Sequence, residues 1–144
     1  MTNSKKVFVV YLLSSLFGVF SLIVNAAHHG EDKTSNKVYE MRTYYAHEGK
    51  LEALKSRFRD HTDGIFNRLG MKSIAYWVPT SEPGSKNTLI YILEHKSEAE
   101  AKKNWQIFIK DPQWVKAYKA SIVDGPLVEK IDVVFMQTTD FSAL

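Results

Sequence analysis

Apolar residues in this chain switch between a two-residue spacing and a three- or four-residue spacing, in an order that few folds can accommodate. The two-residue spacing indicates β-strands, and the wider spacing indicates amphipathic helices. Along the chain the segments run strand, helix, strand, strand, helix, strand. Right-handed crossovers then place both helices on one face of a four-stranded antiparallel sheet. The predicted fold class is therefore α+β, in the ferredoxin-like βαββαβ arrangement.

Turn and capping signals set the boundaries of these segments. Gly70 is expected to end the first helix. Ser97 and Glu100 form an S-x-x-E capping box at the start of the second, and Asp111 with Pro112 restarts that helix after an interruption. We predict strands at 38–45, 71–78, 88–95 and 128–138, and helices at 50–69 and from 97 to the Gly-Pro pair at 125–126.

The first 26 residues are predicted to be a signal peptide. Lys5 and Lys6 precede an uncharged apolar run at 7–24, and Ala26 and Ala27 supply small residues for cleavage. The alternative is an uncleaved membrane anchor, because the run sits at the lower limit of a spanning length. Cleavage predicts an exported protein, periplasmic or secreted, with a polar tail at 27–36 and a folded domain at 37–142.

Charge and cysteine content exclude several classes of protein. The 144-residue chain has a net charge of +3 and no cysteine. Removal of the leader takes two lysines with it, and the rest has no basic cluster of the kind that nucleic-acid binders use to contact phosphates. The absence of cysteine excludes disulfides, thiolate zinc sites and iron–sulfur clusters. We expect no nucleic-acid partner, and membrane contact only through an uncleaved leader.

One face of the predicted sheet is left without helices. In the first strand, Glu40, Arg42 and Tyr44 point away from the side that carries Met41. We expect these three residues on the open face, together with Trp77. A face with this much aromatic and aliphatic area is expected to be covered. A two-fold homodimer whose sheets close into a barrel would cover it.

Several short motifs resemble the NIPSNAP-domain family. The strand at 38–44, VYEMRTY, is similar to the family's Y-E-L-R-T-Y opening, with Met41 replacing leucine at similar volume. The resemblance covers residues 37 to about 142 and looks like the bacterial branch. The other motifs are GKL at 49–51, FRDHT at 58–62, GMK at 70–72, YW at 76–77, NTLIY at 87–91, DPQW at 111–114 and GPLVE at 125–129.

The resemblance implies a dimeric α+β barrel. That superfamily includes small cofactor-free monooxygenases, chlorite-dismutase-like haem proteins and many members without known activity. Fold does not fix function here, so the resemblance transfers no catalytic residues. The export signal departs from the mitochondrial members, whose roles are therefore not carried over. Whether this protein is an enzyme stays open at this point.

His61 has two interpretations. It lies at helical spacing between Phe58 and Ile65 on the predicted apolar face of the first helix. It would be either a partly buried histidine hydrogen-bonded near the sheet edge, or a general base or haem ligand at the mouth of a pocket. Arg42, Tyr44 and His61 are the candidate catalytic residues.

The predicted ligand-binding residues lie mainly on the strands. Glu40 and Arg42 share a strand face, where they would form an ion-pair network, or Arg42 would recognise a carboxylate or phenolate oriented by Glu40. The tyrosines and Trp77 would line an aromatic cavity or pack in the core. The candidate ligand-binding residues are Glu40, Arg42, Tyr44, Tyr76, Trp77 and Tyr91.

Three other side chains receive no chemical role. Trp105 and Trp114 are assigned to packing of the helices on the sheet, and His95 is expected to be exposed or structural.

No metal or cofactor is predicted for the folded domain. Two alternatives are kept. Cleavage after Ala26 would expose Ala27-His28-His29, where a free amine and His29 could hold Cu(II) in a square plane of nitrogen ligands, with His28 between them. The other alternative is haem in the barrel.

Two functions are compatible with these observations. The first is an exported protein that binds a small aromatic or amphipathic molecule in a dimeric barrel cavity, with monooxygenase-like chemistry if it is an enzyme. The second is a non-catalytic protein–protein interaction module of the cell envelope. A pocket of a few hundred cubic ångströms around Arg42 favours the first, and a packed interior favours the second.

Overall fold

The computed structural model describes residues 37–144. The predicted leader, the tail at 27–36 and the Cu(II) candidates His28 and His29 lie outside these residues. Within them, no helix has the length and apolar character needed to cross a membrane.

The element order confirms the predicted βαββαβ pattern. The first predicted helix is built from three consecutive pieces, and the second from two. The elements are β1 Val38–Ala46, α1 Leu51–Arg57, a π-helical turn Phe58–Thr62, α2 Asp63–Arg68, β2 Lys72–Trp77, α3 Gly84–Asn87, β3 Thr88–His95, α4 Glu98–Phe108, α5 Pro112–Ser121 and β4 Val128–Met136. The short helix α3 lies in the segment that was expected to be a loop.

The predicted helix ends are present. Gly70 takes a φ of 75°, which glycine adopts without steric cost, and the Met71 N–H donates to the Phe66 carbonyl at 2.9 Å after α2. At the start of α4, Ser97 Oγ accepts from the Glu100 N–H at 3.1 Å. The Glu100 carboxylate does not return to Ser97 as expected, but accepts from the Lys96 N–H at 2.7 Å, one residue earlier.

Helix α5 begins as the sequence predicts. Asp111 Oδ1 accepts from the N–H groups of Gln113 and Trp114 at 3.0 and 3.2 Å, and Pro112 occupies the first turn. This cap fixes the first turn of α5, which carries Trp114 to the side of the sheet.

The four strands form one antiparallel sheet in the order β2-β3-β1-β4. This is the ferredoxin-like strand order, so the predicted fold class is confirmed. The central strand β1 pairs Arg42 with Tyr91 of β3 on one side and with Val133 of β4 on the other. Two residues further along β1, on the same face, Tyr44 lies between Leu89 of β3 and Ile131 of β4.

The helices cover the face of the sheet that was expected to be open. Trp105 of α4 hydrogen-bonds Glu40, and the ring of Phe58 packs against Tyr44 with centroids 5.6 Å apart. The placement of Glu40, Arg42 and Tyr44 on the open face was therefore wrong. Strand alternation correctly put them on one side, but each face of β1 carries aromatic residues, so alternation alone does not say which face meets the helices.

The face without helices carries an apolar row across all four strands. The register places Ala75, Ile92, Met41 and Val134 side by side in that order. Trp77 lies on this face, as predicted, because it pairs with Ile90 in the next row, and it is 46% exposed. The open sheet face is therefore apolar, although its residues differ from those predicted.

Candidate functional site

A cavity of about 380 Å³ lies on the helix-covered side of the sheet, between the first helix, α5 and β4. Its wall is mainly apolar and contains six aromatic rings. These belong to Tyr44, Phe58, Phe66, Phe108, Trp114 and Tyr118. The rest of the wall is formed by aliphatic side chains, by Arg57 and Thr62 of the first helix, and by Glu129 and Lys130 of β4.

Arg57 is the cation of this cavity. Its side chain is buried, and its guanidinium carbon lies 5.3 Å from the ring centre of Trp114 and 5.6 Å from that of Tyr118. Nη1 donates to Ser121 Oγ at 3.2 Å, whereas Nε is buried without an acceptor among the described residues. No Asp or Glu between residues 37 and 144 forms an ion pair with Arg57.

Burial in this aromatic surrounding lowers the pKa of the Arg57 guanidinium, and the nearby Tyr44 and Tyr118 oppose that shift. Arginine nevertheless remains protonated in proteins, because its ordinary pKa is so high. The cavity wall therefore carries a full positive charge that the described residues do not neutralise.

A π-helical turn follows Arg57 directly in the first helix. In this turn the Asp63 N–H donates to the Phe58 carbonyl, five residues back. The Thr62 hydroxyl donates to the Arg57 carbonyl at 3.1 Å, a second bond that holds the wide turn. Turns of this kind occur frequently at functional sites. Here the turn keeps Phe58 and Thr62 on the buried side, which Arg57 already faces at the end of α1.

The same turn explains why the expectation for His61 was wrong. In a regular helix His61, three residues after Phe58, would return towards the sheet. Because the π-helical turn is wider, Thr62 takes the buried position and His61 is exposed. His61 does not line the cavity.

Two tyrosines lie next to Arg57. Tyr91 is fully buried in β3, and its hydroxyl donates to the Tyr44 hydroxyl at 3.1 Å. Burial raises the pKa of Tyr91 well above its ordinary value, so the phenol stays protonated and can keep donating. Tyr44, which lines the cavity, therefore keeps its own O–H for another acceptor.

The second charged cluster lies under α4, where Glu40 and Arg42 neutralise each other, although His95 Nδ1 is buried without a partner among the described residues. Glu40 is completely buried, and its Oε1 accepts from Arg42 Nε at 2.7 Å. Trp105 Nε1 donates to both Glu40 oxygens, at 3.0 and 2.8 Å, and His95 Nε2 lies 2.9 Å from Oε2. The Arg42 guanidinium also stacks on the Trp105 ring at 3.6 Å. His95 is thus buried and structural, one of its two predicted alternatives.

The pKa of Glu40 reflects this pairing. Burial alone would raise the pKa, but the hydrogen bonds from His95 and Trp105 and the charge of Arg42 outweigh it, so the pKa lies below its ordinary value. Glu40 is therefore an ionised carboxylate at neutral pH, and it neutralises Arg42. A groove of about 630 Å³ runs beside this cluster, along Val133 and Phe135 of β4.

The structure separates the other predicted ligand-binding residues. The Tyr76 hydroxyl donates to Asp63 Oδ1 at 2.8 Å and lies 2.9 Å from Ser73 Oγ. Tyr76 and Trp77 line a different depression, of about 370 Å³, near Leu89 at the edge of the sheet. Of the predicted set, Tyr44 alone lines the cavity that contains Arg57, while Glu40 and Arg42 line the groove beside α4.

The sequence interpretation missed Arg57, Thr62, Trp114 and Tyr118. One signal was present: Arg57 lies three residues after Leu54, which places a cation on the apolar face of the helix. Trp114 was assigned to packing alone, although it is also a wall of the cavity. Across the described part of the chain, no three His, Asp or Glu side chains are grouped to hold a metal ion.

Comparison with known proteins shows the family. The sequence model of the NIPSNAP family matches residues 39–143. A NIPSNAP family protein of unknown function from Agrobacterium tumefaciens is 26% identical, with a TM-score of 0.63 over 76% of this chain and 95% of that chain. A second A. tumefaciens NIPSNAP family protein is 22% identical, with a TM-score of 0.65 over 75% of this chain and 98% of that one.

A NIPSNAP-like domain protein from Burkholderia xenovorans has the same fold at 14% identity, with a TM-score of 0.64 over 76% of this chain and 91% of that chain. No curated protein matches the sequence. The family match spans nearly the whole folded domain and agrees with the motifs in β1, the first helix and α5. This chain is a member of the NIPSNAP family.

Proposed function

We propose that this protein binds a small, partly aromatic molecule in the cavity beside Arg57. The observation that carries the proposal is the cavity itself, which has a volume of about 380 Å³, a mainly apolar wall with six aromatic rings, and one buried cation. Sites for small molecules are mostly apolar, carry a few convergent polar groups and span roughly 300–1,000 Å³. The cavity has each of these properties.

The shape and lining of this cavity also support binding over the alternative of an interaction module. The cavity opens to solvent on one side and reaches inward between the first helix, α5 and β4, with a buried cation in its wall. Small-molecule sites have this form, whereas an interaction module requires a partner-facing surface but no such recess. The geometry supports binding better than oxygenation, because the candidate base His61 lies outside the cavity.

We further propose that the protein acts as an exported homodimer. The apolar row of Ala75, Ile92, Met41 and Val134 supports a second copy on the open sheet face, because an exposed row of this kind is expected to be covered. The predicted leader at 1–26 supports a periplasmic or secreted location. Sedimentation of Ile92→Glu tests the dimer: we expect a monomer, whereas the exposed helix variant Lys102→Glu should stay dimeric.

The experiment that tests binding uses neutral aromatic probes. Indole-3-acetamide and 2-naphthamide are titrated into the purified protein by calorimetry. Ile122→Trp places a bulky indole ring in the cavity wall, so it should fill the cavity and abolish binding. Ile107→Trp is the matched control, because Ile107 is 45% exposed on α4 outside this cavity. Equal binding by both variants would remove the proposal, and so would a failure of the unmodified protein to bind either these amides or the corresponding acids.

A further inference from the structure

We propose that the molecule bound in this cavity is an aromatic carboxylate, and that its carboxylate pairs with Arg57. This inference rests on the proposed function and adds the chemical class of the ligand to it. It starts from an imbalance of charge at the cavity wall.

Arg57 is buried without a counter-charge among residues 37–144. Its guanidinium donates a hydrogen bond to the neutral Ser121 hydroxyl and lies against the rings of Trp114 and Tyr118. The one acidic residue on the cavity wall, Glu129, is exposed and makes no ion pair with Arg57. Buried charges in proteins are normally paired, because taking an ion out of water is costly. The anion that completes this pair can enter through the cavity.

Lysine residues do not change this balance. Lys130, the other cation on the cavity wall, pairs with Asp132 at 3.0 Å on the exposed end of β4. Its charge is thus already matched, whereas that of Arg57 is not. Glu129 lies at the exposed end of the wall, in contact with solvent, so the unmatched charge in the buried part of the site is the positive one of Arg57, which fits a monoanion.

The donors at the site fit a carboxylate. A guanidinium presents parallel N–H groups that match the two oxygens of a planar carboxylate. Arg57 Nη1 donates to Ser121 Oγ and Nε is fully covered, whereas no described residue accepts from Nη2, so Nη2 is the guanidinium nitrogen left for a ligand oxygen. The Tyr44 hydroxyl, which receives a hydrogen bond from Tyr91, has its own proton available for a further acceptor. These two donors lie on the wall of one cavity.

The remainder of the cavity fits an aromatic ring. Phe58, Phe66 and Phe108 form a continuous set of ring contacts, with Phe58–Phe66 centroids 6.3 Å apart and Phe66–Phe108 centroids 4.8 Å apart. Aromatic pairs favour offset or edge-to-face packing at such separations. A ligand ring packed against this wall would leave its carboxylate towards Arg57.

Arg42 is a poor candidate for the same role. Glu40 already occupies its Nε at 2.7 Å, and Trp105 covers the guanidinium face at 3.6 Å. A carboxylate ligand would therefore have to compete with a fully buried internal carboxylate. The sequence analysis assigned carboxylate recognition to an arginine, Arg42. The structure supports another arginine, Arg57, in that role.

The test compares acids with their neutral amides. Indole-3-acetate and 2-naphthoate are titrated beside indole-3-acetamide and 2-naphthamide. A charge-assisted pair makes the acid bind about 10- to 100-fold more tightly than the amide in the unmodified protein. In Arg57→Met this preference should disappear, and in Arg57→Lys it should be partly kept. Arg59→Met, an exposed arginine of the π-helical turn, is the matched control and should keep the full preference.

The outcomes separate the two proposals. If acids and amides bind equally well, or if Arg57→Met and Arg59→Met behave alike, the carboxylate is overturned while binding in the cavity stands. If neither class binds the unmodified protein, both proposals are overturned. Circular dichroism of each variant verifies folding, and Arg57→Lys keeps the test decisive if Arg57→Met does not fold.

Discussion

Two arginines on the same side of the sheet differ in one respect. Arg42 of β1 stacks on Trp105 at 3.6 Å and pairs with Glu40 at 2.7 Å. Arg57 of α1 lies beside Trp114 at 5.3 Å and has no carboxylate partner among the described residues. Both guanidinium groups lie over tryptophan rings, so the aromatic contact does not distinguish them. The two arginines differ in their counter-charge. Arg42 is neutralised by Glu40 and stabilises the fold, whereas Arg57 is available to a ligand.

The paired region joins elements that are distant in sequence. Glu40 of β1 receives hydrogen bonds from Trp105 of α4 and contacts His95 at the end of β3. Every oxygen of this carboxylate has a donor. A buried group satisfied in this way fixes the positions of its partners, so the cluster sets how α4 lies on the sheet.

The largest predicted effect comes from breaking the paired region. Glu40→Gln removes the negative charge of a fully buried side chain and leaves the partly buried Arg42 without its counter-charge. We expect a loss of about 3–5 kcal/mol in the free energy of unfolding, which is typical of removing one partner from a buried ion pair. Urea denaturation measures it.

The control for this loss is Glu94→Gln. Glu94 pairs with Lys37 and Lys72 at the surface of the sheet edge, so its loss should be below about 1 kcal/mol. Equal losses in the two variants would contradict the structural role assigned to Glu40.

Acid should also lower the free energy of unfolding, because protonation of Glu40 removes the same negative charge. The folded-state pKa of Glu40 is below its ordinary value of 4.5, so its contribution to stability is present above that pH. It is lost as the pH falls below 4.5 and through the folded-state pKa. Unfolding midpoints measured between neutral pH and acid should fall more steeply in the unmodified protein than in Glu40→Gln. Parallel curves would argue against an ionised, paired Glu40.

A smaller effect is expected at the π-helical turn. Thr62→Val removes the hydroxyl that donates to the Arg57 carbonyl and leaves a buried acceptor without that partner. We expect a loss of about 1–3 kcal/mol in unfolding free energy. Because this bond also helps to place Arg57, the preference for carboxylates over amides should fall. Thr43→Val, on the other face of the sheet, is the matched control for the binding readout.

The smallest effect belongs to Ser121→Ala. Its hydroxyl accepts one hydrogen bond from Arg57 Nη1 at 3.2 Å and is only partly buried. We expect a change of about 1 kcal/mol or less in unfolding free energy, since one neutral acceptor is lost beside solvent. Carboxylate affinity should be little changed, because a bound anion can accept the released N–H. A large loss of stability would mean that Ser121 is the essential partner of Arg57.

The sequence was sufficient for the fold. Spacing, the cap at Asp111 and the stop at Gly70 predict the element order and most boundaries, because these are local properties of the backbone. The sequence did not show which face of the sheet the helices cover. In β1 one face has Tyr44 and the other Met41, and alternation gives each side equal apolar character. Only packing against α4, through Trp105, decides between them.

The candidate site could not be predicted from residue spacing alone. Residue spacing from Phe58 to Ile65 is compatible with a regular helix, so a π-helical turn at Phe58–Thr62 leaves no periodic signature, and His61 was misplaced. Arg57 was overlooked because a single cation on a helix is usually solvated. What makes Arg57 informative is a missing partner, which becomes visible only when distant elements are packed around it.

The most direct test of the account is a paired measurement on Arg57→Met. If Arg57 is kept for a ligand, its removal eliminates an uncompensated buried charge, and the free energy of unfolding should stay within about 1 kcal/mol of the unmodified protein or rise. The same variant should lose the preference for indole-3-acetate over indole-3-acetamide. Arg42→Met, measured beside it, should be clearly destabilised, because the fully buried Glu40 loses the guanidinium that pairs with it and keeps only Trp105 and His95. An Arg57→Met protein that is as unstable as Arg42→Met, or that still prefers the carboxylate, would contradict the account.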